Sequence, residues 1–218
     1  MGEMFGTLAK HYHEGGFMMH PILVSLFVAI GVIVDRVIAL YFKTSIDKEA
    51  FLKELKRHVY SGDLDKAISF TASQKKTPLT SVVKAGLINV PKGEADVQAA
   101  MDEATLRESP KIEKRTGYLA MLGNLATLAG LLGTITGLIK SFAGVAGVDP
   151  SMKATMLSKG ISEAMNCTAF GLGTGILGLA TYAILNGQTQ GLLDGINQAT
   201  VETLNLVVAG RGGEQQQY

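Results

Sequence analysis

The sequence predicts an all-α protein that crosses a membrane three times and carries a helical domain between the first and second crossings. Three observations predict it. Residues 118–139 and 164–185 contain no charged side chain, and each run matches the ~20 residues a helix needs to span a bilayer. A third apolar stretch, residues 17–42, is broken only by Asp35-Arg36. Most of the 20 Lys and Arg fall between Lys43 and Arg115. Charged residues make up 18% of the 218-residue chain and hydrophobic residues 47%, against roughly 25% charged in ordinary soluble domains.

Residues 1–16 are mixed in character and read as a lead-in on the outer side. His11, His13 and His20 lack the Cys or acidic neighbours of a ligand set, so no metal site is expected. The polar start and the missing cleavage site argue against a signal peptide. The first span is placed at 17–42. Asp35 and Arg36 are adjacent and project about 100° apart on a helix. Arg36 is expected to snorkel to the headgroups and Asp35 to pair with another helix.

Residues 43–117 read as a helical cytoplasmic domain. Helical patterning runs over 50–59, 63–72 and 94–108, with breakers at Ser61-Gly62, Pro78, Pro91-Lys92-Gly93 and Pro110. The second span is placed at 118–143, a short connector at 144–160 and the third span at 161–186. Residues 187–218 read as a helix leaving the membrane and a polar tail that is disordered from Arg211. Basic residues flank the 43–117 segment (Lys43, Lys48, Lys53, Lys56 and Arg57 on one side, Arg107, Lys111, Lys114 and Arg115 on the other). By the positive-inside rule this places the N-terminus and the connector outside and the C-terminus inside.

Charge is nearly balanced, at +1, which gives no electrostatic support for nucleic-acid binding. The lone Cys167 excludes an intrachain disulfide. The string Gly173-Thr174-Gly175-Ile176-Leu177-Gly178 matches a dinucleotide fingerprint, but it lies inside a helix-length run rather than after a strand. No cofactor is expected. No Ser-His-Asp, Cys-His or metal-ligand set is visible, so no enzyme active site is read.

The two uncharged runs carry the informative chemistry. At about 100° per residue, Thr127, Thr134 and Ser141 share one face, with Gly130 and Gly137 beside them. In the third span Thr168, Gly171, Gly175 and Gly178 form one stripe. Glu163, Thr174 and Thr181 form another, with Cys167 close by. Gly133/Gly137 and Gly171/Gly175 are small-xxx-small pairs, which allow close helix approach in lipid. Hydroxyls in such helices often bond only their own backbone, so packing is the alternative to an ion path. Glu163 is harder to explain that way, because an acid at a span end usually faces protein or water. Neither uncharged run holds a group that carries charge at neutral pH between its ends.

Several motifs carry a resemblance. They are GGFMMHPIL at 15–23, Asp35-Arg36, Gly62-Asp63-Leu64, GLLGTITG at 130–137 and GISEAMNCTAFGL at 160–172. Together they resemble the MotA/TolQ/ExbB proton-channel family, in the three-span ExbB/TolQ branch that includes gliding-motor subunits. The resemblance implies a pentameric ring in the bacterial inner membrane around a dimer of a single-span, ExbD/TolR-like partner, which supplies the proton-carrying Asp. It implies that Thr134 and Thr168 line the path and that Glu163 tunes it. Thr127, Ser141, Thr174, Thr181, Asp35 and Arg36 are secondary candidates. Asn166-Cys167 and Lys140 depart from the usual pattern. A non-conducting scaffold and a self-contained ion transporter are the competing readings.

Overall fold

The computed structural model describes residues 15–44 and 46–215. Residues 1–14, with His11 and His13 of the lead-in, and 216–218 lie outside the described residues. The described chain is helical almost throughout. Its α-helices are α1 (Met19–Val37), α2 (Lys48–Tyr60), α3 (Leu64–Ser73), α4 (Pro78–Asn89), α5 (Glu94–Glu113), α6 (Thr116–Gly144) and α7 (Pro150–Gln215). A π-helical turn, Ile38–Lys43, extends α1, and 3-10 turns occupy Val90–Lys92 and Val145–Gly147. Three helical stretches are long and apolar enough to cross a membrane, within Met19–Tyr60, Glu94–Gly147 and Pro150–Ala209. The chain divides into two compact units. One holds the chain up to Asp35 together with Arg115–Ile184; the other holds Arg36–Lys114 and the chain from Leu185 onward.

In the second unit local chemistry sets the helix starts. Asp47 caps α2 by accepting from the Ala50 N–H (3.1 Å), and Asp63 caps α3 by accepting from the Lys66 N–H (3.0 Å). Gly62, at φ +72°, makes the left-handed turn before that cap. Pro78 begins α4 at a position whose N–H has no helical partner in any case. The Thr77 and Thr80 side chains cap it reciprocally. Leu55, Val82, Val83, Leu87, Val97 and Met101 are fully buried and form the interior. The Lys66 ammonium sits 2.6 Å from the Asp63 carboxylate. That hydrogen bond, with the backbone bond at the cap, holds the Asp63 carboxyl below its usual 3.8.

Four expectations change. Arg36 does not snorkel: it is only 5% exposed and its Nη1 donates to the Ile112 carbonyl at 3.5 Å. The last carbonyls of a helix have no intrahelical donor, and the end of α5 takes the guanidinium as one. Pro110 does not end α5, which runs to Glu113. A proline costs a helix one hydrogen bond, and here it falls in the last turn; the chain turns instead at Lys114 and at Arg115, whose φ is +66°. Residues 150–160 of the expected connector are helical, because α7 begins at Pro150, and residues 211–215, expected as tail, continue that helix. Asp149-Pro150 is a helix-start pair, and the Met152 N–H bonds the Asp149 carbonyl at 2.9 Å.

In the first unit, α6 buries Leu119, Gly123, Ala126, Gly130, Gly133, Gly137 and Ser141. These recur every three or four residues, as one face of a helix requires. The opposite side, including Met121, Leu125, Leu128, Leu132, Ile135 and Ile139, is apolar and exposed. An apolar exposed face on a helix of this length suits lipid or other membrane helices.

Candidate functional site

The site is built where α6 meets α7. Gly130 and Gly171 bring the two backbones together: a Cβ on Gly171 would lie 2.7 Å from the Ala126 carbonyl oxygen and 2.8 Å from the Gly130 Cα. Gly178 fits against Gly123, and Gly137 against Ala164. No larger residue could hold this spacing without parting the helices.

At that approach the hydroxyls of Thr134 and Thr168 hydrogen-bond to each other. Both also lie within donating distance of one carbonyl, Gly130, at 3.2 Å each. Thr168 has the Ala164 carbonyl as a further acceptor at 3.3 Å. Each hydroxyl has one proton to donate and two lone pairs. One can therefore donate to its neighbour while the other donates to Gly130, and lone pairs remain to accept from a water or a protonated carboxyl. Rotating the hydroxyls reverses the sense of the chain without breaking it. The pair can relay or orient a proton but cannot store charge.

The remaining hydroxyls behave differently. Thr127 donates to Gly123 (3.1 Å), Ser141 to Gly137 (2.8 Å) and Thr181 to Leu177 (2.7 Å). Each bond stays within its own helix, as packing hydroxyls do. Thr174 is buried, at 6% exposure. Gly175 faces Thr127, so the Thr168, Gly171, Gly175 and Gly178 stripe lies on the seam.

Helix α1 covers one side of that seam. Met19 and Ile22 pack with Ala126 and Cys167, flanked by Met18, Ala129 and Phe170. Ser25 Oγ donates to the Leu122 carbonyl at 2.9 Å. Cys167 fills the space beside Gly133. Thr134 and Thr168 each follow one of these covered residues by a single position, a turn of about 100°. The hydroxyl pair therefore looks away from α1.

Glu163 is not part of that pair. It sits on the α1 side, against Gly16, whose φ is +71° and whose missing side chain leaves room for the carboxylate. A cavity of about 920 Å³ opens there, lined by Gly16, Ala154, Thr155, Ser158, Lys159, Ser162 and Glu163. Asp35 pairs with Arg115 at 3.3 Å, beside the start of α6. Arg36 is the helix-end ligand described above. Among the described residues no group of three or more His, Cys, Asp and Glu could hold a metal ion.

Sequence reasoning missed the shared Gly130 carbonyl, because hydroxyl spacing within one helix says nothing about an acceptor on the next. It also missed Ser25, although a lone hydroxyl inside the apolar run 22–34 was a usable signal.

A sequence model of the MotA/TolQ/ExbB proton channel family matches residues 74–198, more than half of the chain. The chain is 29% identical over 193 residues to the biopolymer transport protein ExbB of Salmonella typhimurium, covering 79% of this chain and 77% of that protein. It is 35% identical over 97 residues to the Tol-Pal system protein TolQ of Pseudomonas aeruginosa, covering 44% and 42%. Among solved structures it is similar to a chain of C. jejuni MotAB, with a TM-score of 0.47 and 12% identity over 94% of this chain and 91% of that one. The match runs through α4, α5, all of α6 and most of α7, including both threonines of the seam; the chain belongs to the MotA/TolQ/ExbB proton channel family.

Proposed function

We propose that this chain forms the wall of a proton path in a motor complex of the bacterial inner membrane, and that Thr134 and Thr168 are the wall residues that touch the moving proton's carrier. The observation that carries the reading is the cross-helix hydroxyl pair on the side of the seam that α1 leaves open. The uncharged runs 118–139 and 164–185 hold no carboxylate, His, Lys or Arg that could carry a proton at neutral pH. The carrier is then another chain. We assign it to a single-span partner of the ExbD/TolR type, present as a dimer and bringing a membrane Asp. Copies of this chain, five in the ring that the family resemblance implies, surround it. The N-terminus and the α6–α7 connector face the periplasm, and the segment 43–117 and the C-terminus face the cytoplasm.

In this mechanism one of the two hydroxyls turns from the Gly130 carbonyl to donate to the partner's carboxylate while the other keeps the Thr134–Thr168 bond, and once protonated the neutral acid donates to a hydroxyl lone pair. Glu163, beside a polar cavity, sets the field and water supply at the outer approach. One charge moving across 100 mV releases about 2.3 kcal/mol, available for work on envelope transport, envelope maintenance or gliding. The test is substitution with assembly monitored. Thr134→Ala or Thr168→Ala abolishes the driven process while the complex still forms. Natural activity in both variants would remove them from the path and favour a scaffold held by small-residue packing alone.

A further inference from the structure

Asn124 is a polar side chain inside the uncharged run 118–139, six residues from its start, and it is exposed on α6. In hydrocarbon a carboxamide needs hydrogen-bond partners, since lipid supplies none. Its position on the helix says where they come from. The α1-covered side of α6 is marked by Ala126 and Gly133. Asn124 lies three residues before Thr127, about 60° away around the helix, on the side turned from α1. It stands about 15 Å along the axis from Thr134 towards the α6 N-terminus, ten residues at 1.5 Å each. Gly123, its neighbour, contacts Gly175 and Leu179 of α7. The seam at this level is therefore closed by glycines, and Asn124 stands between Thr127 on the seam side and the exposed Leu128 and Ile135 on the other.

We propose that Asn124 is a positioning residue of the ion path, extending the polar wall from Thr134 past Thr127 towards the α6 N-terminal end. This rests on the reading of Thr134 and Thr168 as path wall. The carboxamide offers two donors and an acceptor, so it orders water in both senses and links the hydroxyl pair to the inner aqueous side. Thr127 alone could not do this, because its hydroxyl proton is committed to the Gly123 carbonyl.

The experiment uses the full chain, co-produced with its partner in native membranes, with Cys167→Ala as background. Asn124→Cys, Thr127→Cys and Leu132→Cys are treated separately with a small, charged, membrane-impermeant thiosulfonate. Reaction needs a thiolate, which forms in water and not in lipid. Leu132 lies on the exposed apolar face opposite Thr134 and serves as the lipid-facing control. Asn124→Cys and Thr127→Cys are expected to react roughly tenfold faster than Leu132→Cys, or more. A slow Asn124→Cys beside a fast Thr127→Cys overturns the Asn124 assignment and leaves the hydroxyl path standing. Slow reaction at both takes down the path reading as well. Disulfide-linked dimers of Asn124→Cys would place the residue at a contact between copies and overturn the proposal. As a second arm, Asn124→Gln retains proton flux and Asn124→Leu loses about tenfold, the equivalent of one hydrogen bond to a charged species. Natural flux in Asn124→Leu also overturns it.

Discussion

Adding one methyl group at Gly171 tests whether the α6–α7 seam has the closeness described. The new Cβ would stand 2.7 Å from the Ala126 oxygen, 2.8 Å from the Gly130 Cα and 3.1 Å from the Gly130 nitrogen. All three are backbone atoms, so no side chain can swing aside. Carbon atoms pack comfortably at about 3.5 Å or more, so the helices must part by roughly 0.7 Å. Overpacking of this kind costs about 1–3 kcal/mol, against which Ala gains about 1 kcal/mol of helix propensity over Gly. Gly173, two residues along the same helix, has open space where its Cβ would be. Gly173→Ala should therefore stabilise the protein by up to about 1 kcal/mol, while Gly171→Ala is neutral to destabilising by about 2 kcal/mol. Equilibrium unfolding of the detergent-solubilised chain, followed by helical circular dichroism, reads both. The seam geometry is refuted if Gly171→Ala proves as stabilising as Gly173→Ala.

Other substitutions probe separate parts of the chain. Arg36→Leu leaves the Ile112 carbonyl without its guanidinium donor in a buried place and should cost about 1–3 kcal/mol; thermal melts that match the natural chain would contradict the helix-end role. Asp63 has its carboxyl pKa held below 3.8 by Lys66 and the α3 cap. Its contribution is present above pH 3.8 and is lost as pH falls through the lower, folded-state value. Asp63→Asn keeps a capping oxygen and should flatten that acid-side decline in α3, read by amide exchange. An unchanged acid profile would count against the ion-assisted cap. Cys167, buried beside Gly133 and Met19, should resist maleimide in intact membranes until the protein unfolds. Rapid labelling would show that α1 does not cover the seam.

The legible parts of this protein were those written in local pattern. Uncharged runs of span length, the Asp63 helix start, and the breaks at Gly62, Pro78 and Gly93 all come from physics within a few residues of chain. The glycines at 130 and 171 also showed in the sequence, because a span rich in small residues has few other uses. What was hidden depends on distant partners. Arg36 looked like a headgroup anchor, yet a carbonyl 76 residues away takes it. Glu163 and Thr168 fell on separate stripes in the sequence, but helical phase named neither partner, Gly16 for one and Thr134 for the other. Thr127 and Thr134 share a stripe, but only Thr134 reaches a hydroxyl on the next helix, and helical phase alone does not separate them. Pro110 misled because breaker residues mark where a helix can stop, not where neighbouring contacts let it continue.

The central claim is that Thr134 and Thr168 act through their hydroxyls and not through their shape. Valine keeps the shape and removes the hydroxyl, so Thr134→Val and Thr168→Val are the decisive pair. The measurement is voltage-driven proton flux into vesicles containing the assembled complex, with assembly checked by size. Losing a hydrogen bond to a charged group costs about 1.5–3 kcal/mol, so each variant should slow flux roughly tenfold or more while the complex remains intact. Flux at the natural rate in both variants, with assembly intact, would contradict the account.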